Sequence, residues 1–208
     1  MSILELRSFK NHKYGYVKPS HGSYDYLMET EYYRIAKFFG LKASKCIMLD
    51  SYNLASLICH TQRFKQVDGP KLFKTSTFEE MFPMLSPSVQ RSLLLLAFVD
   101  CVCGNMNRHI GNISFLMGDD GDIVKLCPPY SNIAVFENAT NNDCLLCPDS
   151  SMEWSHAKVF CWLKENWKEF DKLYKKYTSE EFDALIEPLY MKKWIQSQRR
   201  KLCKNIKA

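Results

Sequence analysis

The sequence predicts an α+β fold in two parts, a small sheet carrying one helix followed by a mainly helical remainder. Short apolar and aromatic runs bounded by turn residues crowd into the first 63 residues, and one stretch of helical spacing lies between them. From Phe64 onward the apolar spacing becomes helical, with recognisable helix starts. The boundaries are therefore set at 1–63 and 64–208. With 208 residues and 46% hydrophobic side chains, there is enough chain for one compact core or for two small lobes sharing an interface.

In the first part, Tyr14–Lys18 (YGYVK) reads as a strand ending at Pro19, and Ser20–Tyr26 as loop. Glu29–Phe39 (ETEYYRIAKFF) has helical spacing, with Gly40 as its stop. Ile47–Leu49 and Ala55–Cys59 read as two strands around an Asp-Ser-Tyr-Asn turn.

In the second part, Ser76-Thr-Phe-Glu79 is a capping box. Ser86-Pro87 supplies a cap and a first-turn proline ahead of SVQRSLLLLAFVDCVC, which is apolar on all sides and so reads as a buried helix. Ile113–Met117 and Ile123–Cys127, joined by Gly118-Asp-Asp-Gly-Asp, read as a hairpin, and residues 137–151 as a polar loop. Trp154–Tyr177 reads as one amphipathic helix, and Thr178-Ser-Glu-Glu181 as a second capping box opening a last helical stretch that Pro188 breaks or kinks.

The formal charge of +5 is unevenly placed: residues 1–190 carry 21 Lys and Arg against 23 Asp and Glu, and residues 191–208 carry seven basic groups and no acid. Lys192, Lys193, Arg199, Arg200 and Lys201 thus form a basic C-terminal segment. It reads first as a solvated helix end suited to the helix dipole, and second as a patch for nucleic acid or an acidic partner, with Trp194 available for stacking. The longest apolar stretch, Leu93–Val99, falls far short of the roughly 20 residues that span a bilayer. A soluble, cytoplasmic protein is expected. The nine cysteines lack a paired framework and read as reduced thiols; Cys101-x-Cys103 and Cys144-x-x-Cys147 are a poor match to a zinc site.

Chemistry concentrates in GNMNRHIGN, residues 104–112, directly after the buried helix. It has the form of a phosphoryl-transfer loop with its acid replaced. Such transfer requires a cation on the nucleotide phosphates, an acid orienting that cation, a carboxylate positioning the attacking hydroxyl, and oxygen ligands for magnesium. Lys18 ends a strand, and Glu29 and Glu31 lie on the helix that follows.

Set in order, these segments resemble the HipA-like bacterial serine/threonine kinases. That family shows approximately GNxDRHxGN, a hairpin, and then P-x-[FY]-D-x-G, against GNMNRHIGN, a hairpin and CPPYSNIAVF here. YGYVKPS, TEYYRIAKFFGL and SLICHTQRF are similar to the family's lysine strand, acid-bearing helix and strand ending in an RF-type motif, so that the resemblance covers roughly residues 10–136. It implies a two-lobed, protein-kinase-like fold with a reduced N-lobe sheet (1–63) and a mainly helical C-lobe (64–208).

It further implies that Lys18 is the nucleotide-phosphate lysine and that Glu31 is its ion-pair partner, in preference to Glu29. Arg108 and His109 match the catalytic-loop frame, and Asn112 matches a magnesium-holding asparagine. The departures fall on the acids: Asn107 stands at the catalytic aspartate and Ser131 at the metal-binding aspartate, with Ile133 at a glycine two residues later. An amide cannot accept the substrate proton, a function worth about a hundred- to ten-thousand-fold in rate. A serine hydroxyl is a poor substitute for the carboxylate that magnesium prefers. Only 17 residues, with the single glycine Gly15, precede Lys18, so the lid over a nucleotide is expected to be minimal.

The expectation is a pseudokinase that binds a protein partner, in the manner of toxin–antitoxin relatives, with ATP and magnesium doubtful. An active divergent kinase is the alternative, with Asp100, Asp119, Asp120 or Asp122 standing in for the missing acids. A nucleic-acid-associated regulator using the basic C-terminus is the second alternative.

Overall fold

The computed structural model describes residues 5–9, 13–58, 65–73, 81–105, 108, 113–129, 132, 135–136 and 155–206. The capping box at Ser76–Glu79 and the polar loop at 137–151 lie outside them. The first part is a four-stranded antiparallel sheet in the order β1-β2-β4-β3, made of β1 (Glu5–Phe9), β2 (Lys13–Pro19), β3 (Cys46–Asp50) and β4 (Asn53–Ile58). Helix α1 (Ser23–Phe39) connects β2 to β3. It begins within the segment read as loop, after Gly22 at φ 79°, where Ser20 and Asp25 side chains hold the turn: Gly22 N–H donates to Ser20 Oγ at 3.0 Å and His21 N–H to Asp25 Oδ2 at 2.8 Å. Glycine 40 ends the helix at φ 86°.

Lys65–Asp68, read as part of the helical half, is instead strand β5. It pairs antiparallel with β6 (Ser114–Met117), which pairs with β7 (Ile123–Leu126) in a second, three-stranded sheet. The segment KQVD has one strongly apolar residue, so its extended form comes from β6 pairing rather than from its own pattern. A four-residue helix, α2 (Gly69–Leu72), and a 3-10 turn (Phe82–Met84) lead to α3 (Pro87–Cys103). As expected, α3 starts behind Ser86 and Pro87 and is buried along most of its length.

The predicted helix ending at Tyr177 is two helices, α4 (His156–Asn166) and α5 (Phe170–Tyr177), because Trp167 adopts an extended conformation at φ −127°, ψ 108°. Thr178 is not a helix-starting cap. It closes α5, its hydroxyl donating to the Tyr174 carbonyl at 3.1 Å, and Ser179 caps α6 (Glu180–Leu185) by accepting from Phe182 N–H at 3.2 Å. Pro188 does separate α6 from α7 (Leu189–Ile206).

The core forms around Phe98 of α3. Its ring lies 5.2 Å from Phe39 of α1, 5.3 Å from Phe160 of α4 and 5.9 Å from Phe170 of α5, all buried, so one aromatic side chain joins four helices. From behind, Lys176 Nζ of α5 donates to the Phe38 carbonyl at 2.5 Å, tying α5 to the C-terminal end of α1. At the other end of α3, Gly104 adopts φ 62°, and an added Cβ would lie 2.4 Å from the Trp194 ring of α7.

Two glycine substitutions separate backbone strain from overpacking. Gly40→Ala, with open space around the new methyl group, is expected to cost about 1–2 kcal/mol from the left-handed backbone alone. Gly104→Ala adds a steric clash worth about 1–3 kcal/mol more. Urea denaturation of the two variants against the parent measures both.

Candidate functional site

Lys18 sits near the end of β2, opposite Leu54 of β4, and is 5% exposed. Its ammonium donates to Glu29 Oε1 of α1. Glu31, the partner favoured from the sequence, is not in this pair. It accepts instead from Arg34 Nη1 at 2.8 Å, and Arg34 Nη2 reaches the Leu185 carbonyl and Glu187 Oε1, each at 2.9 Å. The reason is helical periodicity: two residues advance a helix by about 200°, so if Glu29 faces the strand, Glu31 faces the C-terminal helices.

Glu29 continues the connection beyond Lys18. Asn132 donates its backbone N–H to Oε1 at 2.8 Å and its Nδ2 to Oε2 at 3.1 Å, while its own Oδ1 accepts from Arg108 Nη2 at 2.5 Å. Arg108 Nε then donates to Asp100 Oδ2 at 2.9 Å, and Nη2 to Oδ1 at 3.3 Å. Asp100 Oδ1 also accepts from the Tyr32 hydroxyl at 2.8 Å and from Asn105 Nδ2 at 3.0 Å. At the far end, His156 Nε2 lies 3.0 Å from the Asn105 carbonyl, the contact of a ring that donates from that nitrogen.

The result is a continuous buried chain of polar groups from β2 through α1, residue 132 and residue 108 to the end of α3. Lys18, Glu29, Asn132, Arg108, Asp100 and Asn105 are each at most 5% exposed. Two cations face two carboxylates, so the charges balance within the cluster. Burial alone would lower the Arg108 pKa, but the Asp100 carboxylate beside it reverses that and holds the guanidinium more firmly charged than usual. Tyr32 is pushed well up, first by burial and then by Asp100, so it stays a neutral donor. Burial lowers the His156 pKa, although the Asn105 carbonyl and Asp100 act the other way.

Two of the stand-in acids, Asp100 and Asp120, are engaged within the fold. Asp100 Oδ1 already accepts from three side chains and Oδ2 from one, which leaves it a structural acceptor. In the exposed hairpin turn, Asp120 Oδ1 accepts from Asp122 N–H at 3.1 Å and so braces the turn itself. Asn107, His109, Asn112, Ser131 and Ile133 lie outside the described residues. Of the residues singled out from the sequence, the structure brings together Lys18, Glu29, Arg108 and Asp100.

Sequence reasoning did not single out Asn132, Asn105, Tyr32 or His156, and it ranked Glu29 second. The legible signal for Glu29 was its place on the apolar face formed by Met28, Tyr32, Ile35 and Ala36, all fully buried. Asn132 has no comparable sequence signal.

The basic C-terminal segment is also changed. Arg199 Nη2 pairs with Asp183 Oδ1 at 2.7 Å, and its guanidinium packs 5.0 Å from the Tyr177 ring, so it is committed within the fold. Trp194 is not available for stacking on a nucleic-acid base: it meets Phe136 edge-on at 5.4 Å and covers Gly104. Lys193, Arg200 and Lys201 remain exposed, and Lys192 is half-buried.

Fold and cluster together define a kinase-like architecture, in which a strand lysine pairs with a helix glutamate beside the loop that follows a buried helix. No family model and no curated protein matches the sequence. Among solved structures, the Helicobacter pylori proinflammatory kinase CtkA superposes with a TM-score of 0.68 at 13% identity, covering 99% of this chain and 97% of that one. The HipA-containing toxin–antitoxin complex of Shewanella oneidensis MR-1, with HipB and operator DNA, includes a match with a TM-score of 0.51 at 12% identity, covering 100% of this chain and 64% of that one. The chain therefore has the kinase-like fold of the HipA and CtkA structures. Among the described residues, no helix is long and apolar enough to cross a membrane.

A kinase-like fold implies ATP and magnesium. Lys18 fits a nucleotide phosphate in one respect: only one of its three N–H donors is given to Glu29. Magnesium fits less well, because Glu29 and Asp100 are committed to buried ion pairs and hydrogen bonds and, among the described residues, no group of three or more His, Cys, Asp or Glu comes together.

Two measurements probe the cluster. Asp100→Asn and Arg108→Met each leave a buried partner uncompensated and are expected to cost about 3–5 kcal/mol, and the double variant less than their sum; additive losses in urea denaturation would show that the pair is uncoupled. For His156, the unfolded chain takes up a proton near its usual pKa of about 6.5 while the native ring resists it, so stability falls as pH drops from there toward the lowered native value. His156→Gln should flatten the Tm-against-pH curve in that window.

Proposed function

We propose that this chain is a HipA-like pseudokinase that works by engaging a protein partner, with little or no phosphoryl transfer. The observation that carries this reading is the closed charge balance of the buried cluster. Lys18, Glu29, Arg108 and Asp100 satisfy one another, and the two positions at which the resemblance places catalytic and metal-binding acids hold Asn107 and Ser131. The scaffold is kept while the proton acceptor and the metal carboxylate are missing. Lys18 would meet a nucleotide phosphate with its remaining donors, and Glu29 and Asn132 would hold it in place. Loss of the positioned base alone accounts for about a hundred- to ten-thousand-fold in rate. A protein partner is supported by the Shewanella structure, in which HipA is in complex with HipB and operator DNA.

A second reading, an active divergent serine/threonine kinase, is supported by the near-complete mutual coverage with a structure named a kinase. Incubation with radiolabelled ATP and magnesium distinguishes the two: the pseudokinase reading expects no autophosphorylation above background, and strong labelling abolished by Lys18→Ala would overturn it. Thermal-shift titration should show at most a shift with ATP that magnesium does not increase. Affinity purification of the tagged full chain from the organism that encodes it, followed by size-exclusion chromatography, tests the partner, co-elution of a stoichiometric second protein being the expected result.

A further inference from the structure

Helices α5 and α7 meet along two rungs. Tyr174 and Tyr177 lie one turn apart on α5, and Cys203 and Arg199 one turn apart on α7. On one rung the Tyr174 hydroxyl donates to Cys203 Sγ at 3.2 Å, and on the other the Arg199 guanidinium lies 5.0 Å from the Tyr177 ring. Neighbouring turns are about 5–6 Å apart, so the sulfur has a guanidinium and a second phenol close by.

The second rung is incompletely satisfied. Both terminal nitrogens of Arg199 donate to Asp183, Nη2 to Oδ1 at 2.7 Å and Nη1 to Oδ2 at 3.2 Å, and Nε, which is buried, has no acceptor among the described residues. The Tyr177 hydroxyl, on a fully buried side chain, makes no hydrogen bond of good geometry either. Burial pushes the Tyr177 phenol up; Arg199 opposes this and Cys203 adds to it, so both face the same hydroxyl. Unpaired buried donors are costly and rare, and two of them beside one sulfur mark a place for an added acceptor.

Among the described cysteines, Cys46, Cys101, Cys103 and Cys127 are buried, and Cys161 and Cys203 are half-buried. The two half-buried thiols differ in their neighbours. Burial and then Glu165, one turn along α4, push the Cys161 thiol up, with Lys164 acting the other way. Cys203 instead has an arginine one turn away and a phenol donating to its sulfur, the electropositive and accessible setting in which thiols react.

We propose that Cys203 is a modification site for peroxides, its sulfenic acid held by Arg199 Nε and the Tyr177 hydroxyl. The sulfur attacks one peroxide oxygen, an S–O bond forms and the O–O bond breaks. The other oxygen leaves with the thiol proton as water, so sulfur loses two electrons and the peroxide gains them. The new oxygen supplies the acceptor that the second rung lacks, and oxidation therefore tightens the α5–α7 contact.

The test treats the full chain with stoichiometric hydrogen peroxide, traps sulfenic acid with dimedone, and maps the adducts by peptide mass spectrometry. Labelling at Cys203 is expected to exceed that at Cys161 by about tenfold or more. In untrapped samples oxidation should raise Tm by about 2–4 °C, reversibly with dithiothreitol. The rise should vanish in Cys203→Ser and persist in Cys161→Ser. Tyr177→Phe removes a hydroxyl that has no partner in the reduced chain, so it should leave the reduced Tm no lower and abolish the rise. Equal labelling of Cys161 and Cys203 would overturn the proposal, as would a rise that survives in Cys203→Ser or a reduced Tyr177→Phe chain that melts earlier than the parent.

Discussion

Four buried charges have to be neutralised together, and much of the architecture follows from that. Removing an ion from water costs several kcal/mol even after relaxation, so Lys18, Glu29, Arg108 and Asp100 are tolerable only when each meets its counterpart. Asn132 makes the arrangement work by donating to Glu29 and accepting from Arg108 at once. Through it, strand β2, helix α1, the segment after β7 and the end of α3 acquire a fixed mutual register. The cost of breaking such a network is asymmetric, since the loss of one member strands its neighbours.

The apolar core serves the same geometry from the other side. Phe98 and Asp100 are two residues apart on α3, so packing of the aromatic cluster sets where the carboxylate lies. Gly104 ends the helix just beyond, letting the chain turn back so that Asn105 and Arg108 can reach Asp100. Trp194 of α7 seals that corner from outside.

Much of this was legible in the sequence, and the exceptions have physical causes. The buried α3 with its cap and proline, the hairpin and the stop at Pro188 rest on strong local signals, whereas Lys18 was singled out through the family resemblance. Strand β5 did not, because KQVD is extended through β6 rather than through alternation of its own. The break at Trp167 was hidden because Leu163, Trp167 and Phe170 continue a helical spacing across it, with neither Pro nor Gly to mark the turn. Glu31 was preferred over Glu29 because both are acids on the right helix, and only the orientation of the helix against the sheet separates them. Asn132 was illegible for a deeper reason: its three hydrogen bonds are to residues distant in sequence, and no periodicity records them.

The clamp on the rear of α1 has a consequence for how this molecule communicates. Arg34 holds the helix to the Leu185 carbonyl and Glu187, and Lys176 holds Phe38, while Glu29 is held from the front. A tilt that opened the Lys18 pair would also strand a buried carboxylate, at about 3–5 kcal/mol, and its population would fall below roughly one in a hundred. In effect α1 has a single setting among the described residues. The partner proposed above would meet helix α1 already in place, so binding through that helix should be fast, close to rigid-body and little taxed by rearrangement.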